Sequence, residues 1–153
     1  MWSLSLAHKL CTDSGMNIKR NVIVRAIKEA KVSTVCRGKV GAVIFSDSGH
    51  IICSSFNTTV YGYEGIWTIH AEEWCLAKAH KIKARERFGN LNMLVVRYKI
   101  SIDKLAMAKP CEKCSFLIKE AGIRVYYSDE NGKIEEFSNK TKSANSRMFK
   151  KVK

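Results

Sequence analysis

Two cysteines separated by two residues, Cys111 and Cys114, are the residues whose spacing most directly suggests chemistry. This spacing lets two thiolates face one metal ion, and a helix N-terminus stabilises a thiolate through its partial positive charge. Pro110 precedes the pair and favours the first turn of a helix, because its missing N–H costs little there. Taken alone, the motif fits a metal site, a redox dithiol, half of a structural zinc site or chance.

The other cysteines narrow these alternatives. Cys11, Cys36, Cys53 and Cys75 are scattered and form no second pair at this spacing, which disfavours a four-cysteine zinc site. We interpret Cys53 and Cys75 as small buried residues. A redox dithiol is disfavoured by its position after the third predicted strand.

His70 and Glu72 supply the other groups that a catalytic metal site needs. His70 opens a predicted helix, as the cysteine pair does, so three ligands can converge on one ion. Three protein ligands leave the fourth position of a tetrahedral zinc for water, whose pKa then falls towards 7. Glu72 lies two residues further on, about 200° around a helix, where its carboxylate can exchange protons with that water. The rotation of Glu73 aims it away.

The elements that must position these residues alternate in an α/β order. Apolar periodicity, β-branched runs and turn residues predict them. They are a helix over 17–31, strands over 39–45 and 51–57, a loop over 58–68, a helix over 70–87, a strand over 92–98, a helix from Pro110 to Glu120, a strand over 122–128 and a short strand near 134–137. This order predicts a mixed sheet with parallel crossovers and with helices covering its faces.

Length and charge bound the remaining possibilities. The 153 residues correspond to one domain over 1–137 with a basic tail or helix over 138–153. The formal charge of +13 attracts polyanions, although solubility alone also explains it. The N-terminus shows no signal-peptide pattern, and no stretch approaches the roughly 20 apolar residues of a membrane span. We therefore predict a reduced, cytoplasmic protein without membrane contact.

The pattern H-x-E followed by P-C-x-x-C resembles that of the zinc-dependent cytidine and deoxycytidylate deaminase superfamily, which includes tRNA adenosine deaminases. The resemblance covers about residues 26–137. It implies a three-layer α-β-α fold with a mixed, mostly parallel central sheet of about five strands. It also implies that His70, Cys111 and Cys114 bind Zn²⁺ and that Glu72 shuttles protons during hydrolytic deamination.

The same resemblance assigns substrate contacts. Asn57 contacts the substrate sugar, the main-chain N–H of Ala71 holds the carbonyl oxygen of the base, and the Cys111 carbonyl orients the amine. Aromatic residues near the site, Trp67 and Tyr127, are further candidates for contact with a base.

Three substrate classes stay open at this stage. The first is a free cytosine nucleotide such as dCMP, the second is cytosine in single-stranded DNA or RNA, and the third is adenosine in a tRNA loop. Lys109 stands where tRNA adenosine deaminases usually carry Glu, which disfavours the third class, and the family as a whole favours the first. A zinc-stabilised nucleic-acid-binding module is the non-enzyme alternative, against which Glu72 argues. Related folds often form dimers or tetramers, so a homo-oligomer also stays open.

Overall fold

The structure is a computed structural model that describes residues 18–137. Three features of the sequence analysis lie outside these residues: Cys11, the predicted start of the first helix at Asn17, and the predicted tail over 138–153. The elements in chain order are α1 (Arg20–Lys31), β1 (Lys39–Ser46), β2 (Ile51–Phe56), β3 (Thr58–Gly62), β4 (Gly65–Ile69), α2 (Ala71–Lys81), α3 (Ala84–Phe88), β5 (Leu91–Lys99), a 3₁₀ turn (Ile100–Ile102), β6 (Lys104–Ala106), α4 (Glu112–Glu120), β7 (Arg124–Ser128) and β8 (Ile134–Glu136).

The main sheet has the strand order β2-β1-β5-β7-β8, and β6 pairs with β5 beyond the end of β7. β5 and β7 run parallel, whereas the other pairings of this sheet are antiparallel. The sheet is therefore mixed, as predicted.

The sheet has about the predicted number of strands, five in one path with β6 paired to β5, but the prediction that it is mostly parallel is wrong, because one of its pairings is parallel and the others are antiparallel. The two helical crossovers do join strands that point the same way, since β2, β5 and β7 share a direction. The first crossover, however, passes over β1, which lies between β2 and β5 and opposes both. Two crossovers therefore join strands of the same direction, but of β2, β5 and β7 only β5 and β7 pair with each other.

Helices cover both faces of the sheet in a three-layer α-β-α arrangement. On one face, α1 packs Val22, Ile23 and Ile27 against a core that includes Leu94 and Val96 of β5. On the other face, α2, α3 and α4 pack against the alternate side chains of β1 and β5. The two faces of β5 thus belong to separate hydrophobic clusters, which explains its nearly continuous apolar sequence.

Two predicted segments differ from the structure. The predicted loop over 58–68 is the two-stranded hairpin β3–β4, whose β-branched and aromatic residues pair across a turn between Gly62 and Gly65. The predicted helix over 70–87 is two helices, because Lys83 adopts a left-handed conformation with φ of 54° and ends the first helix. Neither difference moves the predicted site residues away from their helix starts.

None of the helices between residues 18 and 137 is long and apolar enough to cross a membrane. The cysteines in this part of the chain are all free thiols: Cys36, Cys53, Cys75, Cys111 and Cys114. Cys75 is buried, as predicted, whereas Cys53 is half-buried, with its Sγ 4.0 Å from that of Cys75.

Candidate metal and active site

The start of α2 and the start of α4 bring the three predicted ligands together. His70 is the residue before α2, with extended backbone angles at the end of strand β4. Cys111 holds the equivalent position before α4, where its Sγ accepts a hydrogen bond from the N–H of Cys114. The ligand atoms of His70, Cys111 and Cys114 all lie within 4.8 Å of one another.

The separations fit one tetrahedral ion. His70 Nδ1 lies 3.2 Å from Cys114 Sγ and 3.6 Å from Cys111 Sγ. Tetrahedral angles place a nitrogen and a sulfur bound to one zinc about 3.5 Å apart, given their usual bond lengths. One imidazole and two thiols also form the soft donor set that zinc prefers. The residues therefore fit a zinc ion with three protein ligands.

Glu72 lies beside these ligands in the first turn of α2, with 5% of its surface exposed. Burial raises the pKa of its carboxyl group, and its own backbone N–H, His70 and the Cys114 thiol oppose that rise. A buried carboxylate with a raised pKa is suited to accept and return a proton.

The neighbouring Glu73 occupies a different environment. Its carboxylate lies 3.5 Å from Lys113 Nζ, in an ion pair between α2 and α4. The helix therefore separates the two acidic residues, and only Glu72 lines the cleft at the site.

The thiol of Cys114 is fully buried, and burial together with the Glu72 carboxylate raises its pKa far above the usual range. Without a metal this group stays protonated at neutral pH. Ligation of a divalent cation by Cys114 would require the loss of that proton, because the thiolate is the form that ligates.

The site opens into a cleft of about 440 Å³. Ala71 and Glu72 of α2, Asn57 after β2 and Thr68 of β4 line one part of it. A cleft of this volume lies within the range of small-molecule sites. The structure thus brings His70, Ala71, Glu72, Cys111 and Asn57 to one place.

The amide of Asn57 is held by three partners. Its Oδ1 accepts hydrogen bonds from the Val40 N–H and from the Ser33 hydroxyl, and its Nδ2 donates to the Gly38 carbonyl. One N–H of the amide remains for a ligand, since Asn carries two donors. The network fixes the side chain in the cleft wall.

The two aromatic candidates are not among the residues that line this cleft. Trp67 is about half exposed on the β3–β4 hairpin, one residue before the cleft residue Thr68. Tyr127 packs edge-on against Phe137, with ring centroids 6.2 Å apart, at the margin of the second core cluster. A direct contact of Tyr127 with a base in the cleft is thus not supported by its position.

The sequence interpretation missed Arg97, which lines the cleft from β5. The signal was a charged residue inside the apolar run NMLVVRY, two residues after Val95. Since alternate strand residues share a face, Arg97 follows Met93 and Val95 on the face that carries the site. Arg37 and the cleft residue Lys109 were likewise not predicted as site residues.

Comparison with known proteins agrees with this geometry. Residues 16–128 match the family described as the cytidine and deoxycytidylate deaminase zinc-binding region. The chain belongs to this family. A search of curated protein sequences finds no significant match.

Two solved structures illustrate the similarity. A dCMP deaminase from the cyanophage S-TIM5 is 27% identical, with a TM-score of 0.53 over 72% of this chain and 81% of that one. A cytidine deaminase from Burkholderia pseudomallei is 20% identical, with a TM-score of 0.59 over 77% of this chain and 90% of that one. The second comparison supports the three-layer fold, and the family match confirms the predicted resemblance.

Proposed function

We propose that this protein is a zinc-dependent hydrolytic deaminase that converts a cytosine base to uracil and releases ammonia. The observation that carries the proposal is the convergence of His70, Cys111 and Cys114 beside the buried carboxylate of Glu72. A purely structural zinc site has no use for such a carboxylate, so the geometry favours an enzyme over a zinc-stabilised binding module.

His70, Cys111 and Cys114 would hold the metal. When bound, zinc supplies Lewis acidity that makes a water molecule a better nucleophile at neutral pH. Glu72 accepts a proton from the attacking water as its oxygen bonds to the amino-substituted ring carbon. Glu72 passes that proton to the ring nitrogen, then takes the remaining proton of the added hydroxyl group and delivers it to the amino group. The carbon–nitrogen bond breaks, ammonia leaves and the ring carbon becomes a carbonyl.

Two main-chain groups orient the base. Ala71 is the first residue of α2, so its N–H has no acceptor within the helix and can donate to the carbonyl oxygen of the base. The Cys111 carbonyl accepts the Ser115 N–H at 2.8 Å, and its second lone pair can accept the substrate amine.

The substrate that we propose is a free cytosine nucleotide such as dCMP. The similar protein from cyanophage S-TIM5 is a dCMP deaminase, and the cleft has a volume suited to a small ligand. The free thiols of residues 18–137 support a reducing, cytoplasmic location. A homo-oligomer is compatible with this proposal.

A second candidate is cytosine within single-stranded DNA or RNA. The observation that favours it is the β3–β4 hairpin beside the cleft, where Tyr61, Tyr63 and Trp67 are exposed. Exposed aromatic rings on a basic protein are suited to stack on bases. Adenosine in a tRNA loop ranks third, because Lys109 stands directly before Pro110, where tRNA adenosine deaminases usually carry Glu.

Ammonia release from zinc-loaded protein tests these alternatives. dCMP, CMP, deoxycytidine, a cytosine-containing single-stranded oligonucleotide and a tRNA anticodon stem-loop are offered at equal base concentration. We expect turnover of dCMP above all others. Turnover of the oligonucleotide alone, fading as salt rises, would select the second candidate, and no turnover of any substrate would contradict deamination.

A further inference from the structure

Arg97 points from β5 into the same cleft as the candidate zinc ligands. It pairs with Val40 of β1 and with Ala106 of β6, so its position in the sheet is fixed on both sides. Its guanidinium group lies against Gly38, where a Cβ would be 3.5 Å from Nη2. That separation is an ordinary van der Waals distance, so the guanidinium lies beside Gly38, which is itself a residue of the cleft wall.

The Nε of Arg97 lacks a hydrogen-bond partner among residues 18–137. This nitrogen is also buried. The ion pairs formed within residues 18–137 involve Arg25 with Glu29, Lys113 with Glu73 and Arg124 with Glu136, so no carboxylate there neutralises Arg97. A buried, unpaired donor on a charged group is costly, and such a group in a native cleft calls for a partner from outside.

The other charges of the cleft point to an anionic partner. Arg37 and Lys109 also line it, and Glu72 is the one acidic residue among its described lining residues. Two thiolates balance the charge of a divalent cation, so the cleft stays positive after the metal binds. Guanidinium matches a phosphate oxygen pair in shape and charge.

We propose that Arg97, assisted by Arg37, binds the 5′-phosphate of a cytosine mononucleotide and makes the site select nucleotide over nucleoside. This inference rests on the proposed function, because it takes the base of the nucleotide to lie at the candidate zinc ligands while its phosphate lies at Arg97. Arg97 is then a substrate-binding residue that sets specificity, while Glu72 remains the residue that moves protons.

A terminal phosphate fits this position better than an internal one. The Arg97 Nε lies recessed in the wall of a cleft of about 440 Å³. A phosphate monoester ends the ligand and can enter such a recess, whereas a phosphodiester must leave it again along the continuing chain. The monoester also carries more negative charge at neutral pH.

The test compares Arg97→Met with Lys99→Met. Lys99 is an exposed cation on the same strand, so both variants lose one charge from β5, but Lys99 does not line the cleft. Binding of dCMP, deoxycytidine and a cytosine oligonucleotide is measured by calorimetry on zinc-loaded protein that carries Glu72→Gln. We expect Arg97→Met to weaken dCMP binding at least tenfold and to leave deoxycytidine binding unchanged. Arg97→Lys should recover part of the loss, and Lys99→Met should change neither.

A competition measurement on protein in which Arg97 is intact tests the inference even if the Arg97 variants fail to fold. Inorganic phosphate should weaken the binding of dCMP and leave the binding of deoxycytidine unchanged. Phosphate that bound at the metal would instead displace both ligands. Three results would overturn the inference. They are equal affinity for dCMP and deoxycytidine, tighter binding of the oligonucleotide than of dCMP, and an equal fold-loss of affinity for dCMP and deoxycytidine in Arg97→Met.

Failure of the proposed function would look different. Arg97-dependent binding of dCMP without ammonia release by wild-type protein would support the phosphate site and contradict deamination. Ammonia release from dCMP and deoxycytidine alike, with no effect of Arg97→Met on either, would support deamination and contradict the phosphate site.

Discussion

Among single residues, Cys114 most directly makes the affinity for the metal depend on pH. The buried thiol has a strongly raised pKa, so it is protonated in the metal-free protein throughout the neutral range and must lose its proton to ligate. The apparent zinc affinity should therefore rise about tenfold per pH unit for each proton displaced.

Competition with a chromophoric chelator between pH 6 and 8 measures this dependence. Cys36→Ser is the matched control, because Cys36 is an exposed free thiol outside the site, and its pH dependence should equal that of wild type. A zinc affinity that stays flat over this range would contradict the release of a proton from Cys114 on zinc binding.

The zinc ligands and Glu72 could be predicted from sequence because H-x-E and P-C-x-x-C are two short motifs that together resemble a known family. Arg97 could not, since its role depends on which face of β5 it occupies and on the lack of a partner for its Nε among the described residues. A single arginine near a strand end is more often interpreted as a solvent-exposed residue. The packing of Tyr127 against Phe137 was likewise not visible in the sequence.

At the level of elements, the contact between α1 and β1 depends on Gly41. A Cβ at this position would collide with the backbone carbonyl of Ala26 and would lie 2.7 Å from the Ala30 nitrogen. Gly41→Ala should lower the free energy of unfolding by about 1–3 kcal/mol, because the helix backbone must move away. Urea unfolding measures the loss.

Gly62→Ala is the matched control for this substitution. Gly62 also lies within a strand, but a Cβ there would meet only the ring of the half-exposed Trp67, which can turn aside. We expect a change of about 0.5 kcal/mol or less. An equal loss of stability in both variants would show that the close approach at Gly41 does not limit packing.

Element types were predictable where the apolar pattern was strong, as in α1, β1, β5 and β7. The hairpin β3–β4 was not, because two glycines and mixed aromatic residues gave no clear period. The break between α2 and α3 depends on Lys83, a residue type with no preference for the left-handed conformation it adopts. The strand order was also hidden, since periodicity does not reveal that β1 lies between β2 and β5.

For the molecule as a whole, the charge of +13 raises the question of whether polyanions are substrates or nonspecific ligands. Residues 138–153 contain six basic residues and no acidic one, so their removal lowers the formal charge to +7. Under a nucleotide function, this truncation should weaken binding to a single-stranded oligonucleotide, reduce its salt dependence and leave dCMP turnover unchanged.

Fluorescence anisotropy across a salt series and ammonia release measure the two effects. Replacing the six basic residues by Gln in the full-length chain is the control for chain length. Loss of dCMP turnover in a folded truncated protein would contradict this prediction, because it would show that the tail takes part in the reaction on the mononucleotide.

The most direct test of the account compares Glu72→Gln with Glu73→Gln, two isosteric changes at adjacent residues of α2. Zinc content and deamination of dCMP are measured on the same samples. We expect all proteins to hold one zinc, Glu72→Gln to lose about 10²- to 10⁴-fold in turnover, and Glu73→Gln to stay near wild type. Full activity in Glu72→Gln, or equal losses in both variants, would contradict a zinc deaminase centred on Glu72.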